Sequence, residues 1–228
     1  MPDSDKVLTP SAARAYYDRF GKKQDSQGFY EDPALDELVV HGGFSSAASV
    51  FEFGCGTGKL AQRLLARHLP AEAHYLGCDI SPVMLTLTRQ RLGPFHPRAE
   101  AVLADGTVRF PLTDQSVDRV VCCYVLDLLS TQDIYRFFAE AQRVLKPDGL
   151  LCMASLGEGD NLRSRLVATL WSTVFRLKPA IVGGCRPLQL GTFVDLEQWQ
   201  ILHQATVTPF AVPSEVLVLK NIRSLTSN

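Results

Sequence analysis

Between residues 48 and 156 the chain alternates short apolar runs with amphipathic helical patterns, an order that few architectures accept. The apolar runs are "ASVFEF" (48–53), "HYLGCDI" (74–80), "EAVLA" (100–104), "VDRVVCCYV" (117–125) and "GLLCMASL" (149–156). Each is short and rich in β-formers, which predicts five buried parallel strands. Between them lie helical patterns at 58–69, 81–92 and 131–145. Ser81 followed by Pro82 supplies a cap and a first-turn residue, and "KPDG" at 146–149 is a stop signal. Such alternation predicts an open, doubly wound α/β sheet.

Two regions depart from this order. Residues 9–43 predict two helices, the second opened by Asp32 and Pro33 and closed near Gly42 and Gly43. After the fifth strand, "NLRSRLVATLWSTVFRL" is a long amphipathic run, followed by a glycine-containing loop and a short helix around "DLEQWQILHQ". Two strand-like runs broken at Pro213 then predict a terminal antiparallel hairpin. The expected organisation is one domain over 1–228: an N-terminal helical cap (1–46), a ligand-binding core (47–156), a substrate-lid insertion (157–200) and the hairpin (201–228).

A chain of 228 residues, 46% hydrophobic and 21% charged, suits one sizeable core. Its net charge of -1 and pI near 6.5 predict no electrostatic footprint for a nucleic-acid backbone or an anionic membrane surface. The start "MPDSDKVLTP" is unlike a signal peptide, and no apolar run approaches the ~18 residues of a membrane span. A cytoplasmic protein without stable membrane insertion is expected, with a small molecule as partner and no nucleic acid. Its six cysteines form no C-x-x-C pair and mostly sit in apolar runs, so no metal site is expected.

The loop "VFEFGCGTGKLA" (50–61) lies where a strand hands over to a helix. A P-loop in register with Gly58 and Lys59 would need glycine at Phe53 and a hydroxyl at Leu60, and has neither. A dinucleotide fingerprint starting at Gly54 and Gly56 would need its third glycine at Lys59. What stands here is E-x-G-x-G-x-G, from Glu52 to Gly58. The glycines alone also fit a tight turn without a ligand.

Taken with its neighbours, the loop resembles the first motif of class I S-adenosylmethionine-dependent methyltransferases. "YLGCDIS" resembles their second motif, "AVLADG" the third, "VDRVVCCYVLDLL" the fourth and "EAQRVLKPDGLLCMAS" the helix, turn and strand that follow. Within the class, "LKPDG" and the compact length most resemble the small-molecule branch typified by quinone-biosynthesis methyltransferases. The resemblance implies a Rossmann-like, mostly parallel seven-stranded sheet and S-adenosyl-L-methionine as cofactor.

It also implies site residues, each with a physical rationale. Gly54, Cys55 and Gly56 would bring the backbone against the ligand, with the next helix presenting amides to the methionine carboxylate. Glu52 would anchor the loop and help accept the ligand's ammonium proton, or only cap loop amides. Asp79 would accept the ribose hydroxyls with Ile80 against adenine, or only cap the following helix. Asp105 and the Gly106 amide would meet the adenine edge, although "ADGT" is also a good turn. Cys122 would approach through its backbone, its thiol belonging to the core. Tyr17, in "YYDRF", would contact the methionine end from the cap, or complete an apolar helix face with Tyr16 and Phe20.

Methyl transfer by direct displacement needs a base only when the acceptor carries a proton of high pKa. Asp127 is the weak candidate, standing where many relatives carry histidine; His41, Cys185 and Arg186 are weaker. Leu162, Leu166, Leu170 and Val174, widened by Trp171 and Phe175, form a stripe that is either core or a wall of the acceptor site. The expected function is methylation of a small apolar or aromatic acceptor. The alternatives are a cofactor-binding pseudo-enzyme acting as partner or regulatory subunit, and another use of the cofactor such as aminopropyl transfer.

Overall fold

The structure is a computed structural model that describes residues 7–222; the outer ends of the expected cap and hairpin, 1–6 and 223–228, lie outside the described residues. The elements run in the order α1 (Pro10–Phe20), α2 (Gly28–His41), β1 (Ser49–Phe53), α3 (Lys59–Arg67), β2 (His74–Asp79), α4 (Pro82–Leu92), β3 (Ala99–Leu103) and β4 (Val117–Cys123). They continue with α5 (Thr131–Val144), β5 (Leu145–Leu156), α6 (Leu162–Leu177), β6 (Trp199–Val207) and β7 (Ser214–Asn221).

One seven-stranded sheet has the order β3-β2-β1-β4-β5-β7-β6. β1 to β5 pair in parallel, while β7 pairs antiparallel with both β5 and β6. The predicted doubly wound sheet and terminal hairpin are therefore both present. Strand order reverses between β1 and β4, and an open α/β sheet presents a crevice outside the carboxyl ends of strands at such a point.

Strand alternation sets the two faces. Phe51 and Phe53 of β1 pack with Phe110 and Phe137 of α5 on one face, and Val50 packs with Leu38 of α2 and Leu64 of α3 on the other. Burying whole side chains of this size stabilises by roughly 1.5–3 kcal/mol each before ordering costs. Capping follows the sequence signals: Thr9, Ser81 and Ser130 accept backbone N–H groups at the starts of α1, α4 and α5.

The structure corrects several boundaries. α2 begins at Gly28, not at Asp32 and Pro33, because a 3₁₀ stretch over Gly21–Gln27 leads directly into it. Pro33 is thus interior, where it leaves the carbonyl of Phe29 without its usual amide donor. Residues 146–149 do stop α5, but as a bulge: Leu145 pairs with Val117 and Leu150 with Arg119, and Asp148 takes φ 63° between them. The short helix expected around "DLEQWQILHQ" is instead a turn closed on Asp195, followed by β6 from Trp199. Pairing along the whole of β7 outweighs that segment's helical pattern.

The largest reversal concerns α6. Leu162, Leu166 and Leu170 are 86%, 70% and 64% exposed, while Ser164, Ala168 and Phe175 are buried. Small residues let the helix lie close to the body, so the leucine stripe is neither core nor a cavity wall. No helix among the described residues is long and apolar enough to cross a membrane.

Candidate active site

The reversal point between β1 and β4 opens into a cavity of about 280 Å³. Its floor is the glycine loop. The amides of Gly54 and Cys55 both donate to the Cys78 carbonyl at 2.9 Å, folding the loop back on β2. Gly54 takes φ 76°, and a Cβ there would stand 2.3 Å from Cγ2 of Val125, so only glycine fits. Thr88 of α4 donates to the Gly56 carbonyl at 2.6 Å and fixes the loop from below.

Asp79, at the end of β2, accepts the Gly56 amide at 2.9 Å through one oxygen and the Ser81 amide at 2.8 Å through the other. Burial pushes its pKa up against the pull of those amides. It joins the loop to the start of α4 and lines the cavity beside Ile80. Gly106 lines it from the turn after β3, and the start of α1 closes over the top through Thr9, Pro10, Ala13 and Tyr17. Gln24, in the 3₁₀ stretch, completes the rim near Gly56; its Oε1 is buried with no hydrogen-bond partner.

Of the residues singled out from sequence, Tyr17, Gly54, Gly56, Asp79, Ile80 and Gly106 share this one cavity. Glu52, Cys55, Asp105 and Cys122 are not among its lining residues. Glu52 is buried on the other side of β1 and accepts the Tyr75 hydroxyl; burial pushes its pKa up to about 8. Cys55 turns its thiol toward Thr88. Asp105 folds onto its own turn, accepting the amide and hydroxyl of Thr107 at 2.8 and 2.6 Å. Cys122 is fully buried, and its neighbour Cys123 lines the cavity instead.

Asp127 is fully buried, and burial pushes its pKa up to about 7 although the Arg186 guanidinium favours the ionised form. It does not line the cavity. Arg186 donates to the carbonyls of Asp127 and Leu129, clipping the "GGCRP" segment onto the loop after β4. Cys185 places its sulfur 3.7 Å from the Tyr17 hydroxyl and accepts Nε1 of Trp171 on its carbonyl at 3.0 Å. His41 lies elsewhere, stacked on His203 with ring centroids 3.6 Å apart and both Nε2 atoms near Glu37.

No motif marks Gln24, whose place in the cavity depends on how the cap folds over the sheet. Tyr124 was also missed. It lines the cavity, holds φ 56° and shares a hydrogen bond of 2.9 Å with Ser214. Residues other than glycine rarely adopt such a conformation, and it costs of order 1–3 kcal/mol, which clusters at ligand sites. Among the described residues, the charged side chains that line the cavity are Asp79 and Asp133, and Asp133 pairs with Arg136 at 2.9 Å.

The family described as "Methyltransferase domain" matches residues 50–149. A malonyl-[acyl-carrier protein] O-methyltransferase of Methylovorus sp. (strain MP688) is 37% identical over 72% of this chain and 55% of its own length. The tRNA N(3)-methylcytidine methyltransferase Mettl2 of Drosophila melanogaster is 28% identical over 58% of this chain and 42% of its own. The chain thus spans about half the length of these curated relatives. Among solved structures, the cyclopropane synthase MmaA2 from Mycobacterium tuberculosis superposes with TM-score 0.70 at 16% identity, covering 95% of this chain and 100% of that one. The N-methyltransferase NodS from Bradyrhizobium japonicum, in complex with S-adenosyl-l-homocysteine, gives TM-score 0.63 at 17% identity, covering 85% and 88%.

Proposed function

From the premise that residues 50–149 carry a methyltransferase domain whose cofactor is S-adenosylmethionine, we propose that the chain methylates a small, largely apolar acceptor in the cavity between β1 and β4. The observation that carries this is the convergence of Tyr17, Gly54, Gly56, Asp79, Ile80 and Gly106 on one cavity.

The residues fit the cofactor. Gln24 offers a buried acceptor oxygen with no donor, next to backbone that glycines keep open, which suits the ammonium group of an amino acid. Asp79 offers carboxylate oxygens at the strand end, where ribose hydroxyls can compete with the Ser81 and Gly56 amides. Ile80 and the Gly106 backbone supply a face and an edge for adenine. Glu52, Cys55, Cys122 and Asp105 are assigned to holding the loops from behind the wall. When bound, S-adenosylmethionine supplies a sulfonium methyl open to direct displacement. The chain's own part is to orient and to exclude water, and orientation can supply roughly 7–11 kcal/mol.

The acceptor side is assigned to Tyr17, Tyr124, Val125, Leu128 and Leu129, which line the remainder of the cavity. Apolar contact there is favoured by roughly 25 cal/mol per Å² buried. Among the described residues no lysine or arginine lines the cavity, so an anionic acceptor such as a free malonyl carboxylate or a nucleic acid would find no counter-charge there. No base is assigned, because Asp127 stands off the cavity wall.

A library of apolar phenols, quinols and lipophilic amines, followed by S-adenosylhomocysteine release, tests this. Turnover is expected with neutral or cationic apolar compounds and not with tRNA or malonyl thioesters. Turnover confined to tRNA or to carrier-bound acids would overturn the acceptor assignment.

A further inference from the structure

The outer face of α6 carries a row of leucines turned away from the protein's interior. At about 100° per residue, Leu162, Leu166, Leu170 and Leu177 fall within roughly 80° of arc. All four are exposed, between 64% and 86%. The same wheel places Arg165 and Arg176 beside one edge of this row and Arg163 beyond the other, and Lys178 follows as the C-cap, all four at exposed positions. Between Asp160 and Asp195 the chain contains no aspartate or glutamate. The net charge of -1 therefore conceals a strongly cationic segment.

Two neighbouring turns carry further exposed apolar side chains. Ile181, in the 3₁₀ turn Pro179–Val182 that follows α6, is 63% exposed. Phe210, 79% exposed, lies in the turn Pro209–Ala211 that packs against α6. An apolar helix face left uncovered at this scale marks an interaction site.

We propose that α6 docks the protein on an anionic membrane surface, its leucine row entering the headgroup boundary and the flanking cations meeting lipid phosphates. Charge selects this occupant: cations on both sides of an apolar row match a plane of anionic headgroups, with the long side chains reaching outward as the leucines sink. Shape agrees, since one row of leucines on a helix makes a ridge that enters a soft surface, whereas a protein partner would have to supply a matching groove. The opposite face of α6 connects to the cavity through Trp171, Cys185 and Tyr17. A docked molecule would thus hold its cavity close to the bilayer.

The test is co-sedimentation with vesicles of phosphatidylcholine and phosphatidylglycerol in equal parts, against phosphatidylcholine alone. The protein should sediment with the anionic vesicles and less with the neutral ones. The double variant Leu166→Glu, Leu170→Glu should bind the anionic vesicles on the order of tenfold or more weakly, with its melting transition retained because both positions are exposed. Arg163→Gln with Arg165→Gln should weaken binding most at low salt. Failure of the wild-type chain to sediment with anionic vesicles, or equal binding by the leucine variant, would overturn the proposal. So would a wild-type dimer in gel filtration that the leucine variant abolishes without any vesicle binding, which would make the ridge a contact between copies.

Discussion

The carboxylate of Asp79 accepts the Gly56 amide at 2.9 Å, so a single side chain at the end of β2 both shapes the glycine loop and faces the cavity. The two tasks separate experimentally, because the Cys78 carbonyl holds the Gly54 and Cys55 amides independently.

Asp79→Ala should lower S-adenosylhomocysteine affinity on the order of tenfold to a hundredfold, since charged hydrogen bonds are worth roughly 1.5–3 kcal/mol each and water replaces part of the loss. Gln24→Ala should weaken binding less, because its oxygen is neutral. Calorimetric titration reads both. Unchanged affinity in folded Asp79→Ala would leave that residue only a cap for α4.

At Gly54 the expected penalty has two sources. An alanine would hold a left-handed φ, at roughly 1–2 kcal/mol, and would press on Val125 at a cost of typically 1–3 kcal/mol. Denaturant melts should show Gly54→Ala destabilised, and Gly54→Ala with Val125→Ala recovering only the packing part. Full recovery would mean that the φ requirement is absent.

Both the strands and the glycine loop were legible because β-rich runs and a non-matching glycine spacing are local properties. Gln24 and Tyr124 were not, since their place in the cavity depends on which segments fold over the sheet. α6 shows a different limit. Its periodicity announces a face, but whether that face turns inward depends on what it meets, and Ser164 and Ala168 win the close approach.

That outcome is measurable. Phe175→Ala should cost about 3–5 kcal/mol of stability, as for a buried aromatic, whereas Leu166→Ala should stay within about 0.5 kcal/mol. The reverse order in thermal melts would restore the leucine stripe to the core.

Glu52 makes stability depend on pH. Its carboxyl has an ordinary value of 4.5 and is pushed up to about 8 in the fold by burial. Above pH 4.5 the unfolded chain releases a proton that the folded chain keeps until about pH 8, so stability falls as pH rises through that window. Asp127, raised to about 7, adds the same sign over a lower range. Glu52→Gln removes one titration and keeps an acceptor for Tyr75. Its advantage over the wild-type chain should therefore grow between pH 5 and 8, on the order of 1 kcal/mol per pH unit. A difference independent of pH would show that Glu52 is ionised in the fold.

The most direct test of the central claim is calorimetric titration of the intact chain with S-adenosylhomocysteine, with NAD and ATP as competitors for the same crevice. Saturable one-to-one binding of S-adenosylhomocysteine, lost or weakened in Asp79→Ala, is the predicted result, with NAD and ATP at least about tenfold weaker, or 1.4 kcal/mol. Binding of NAD tighter than S-adenosylhomocysteine would contradict it.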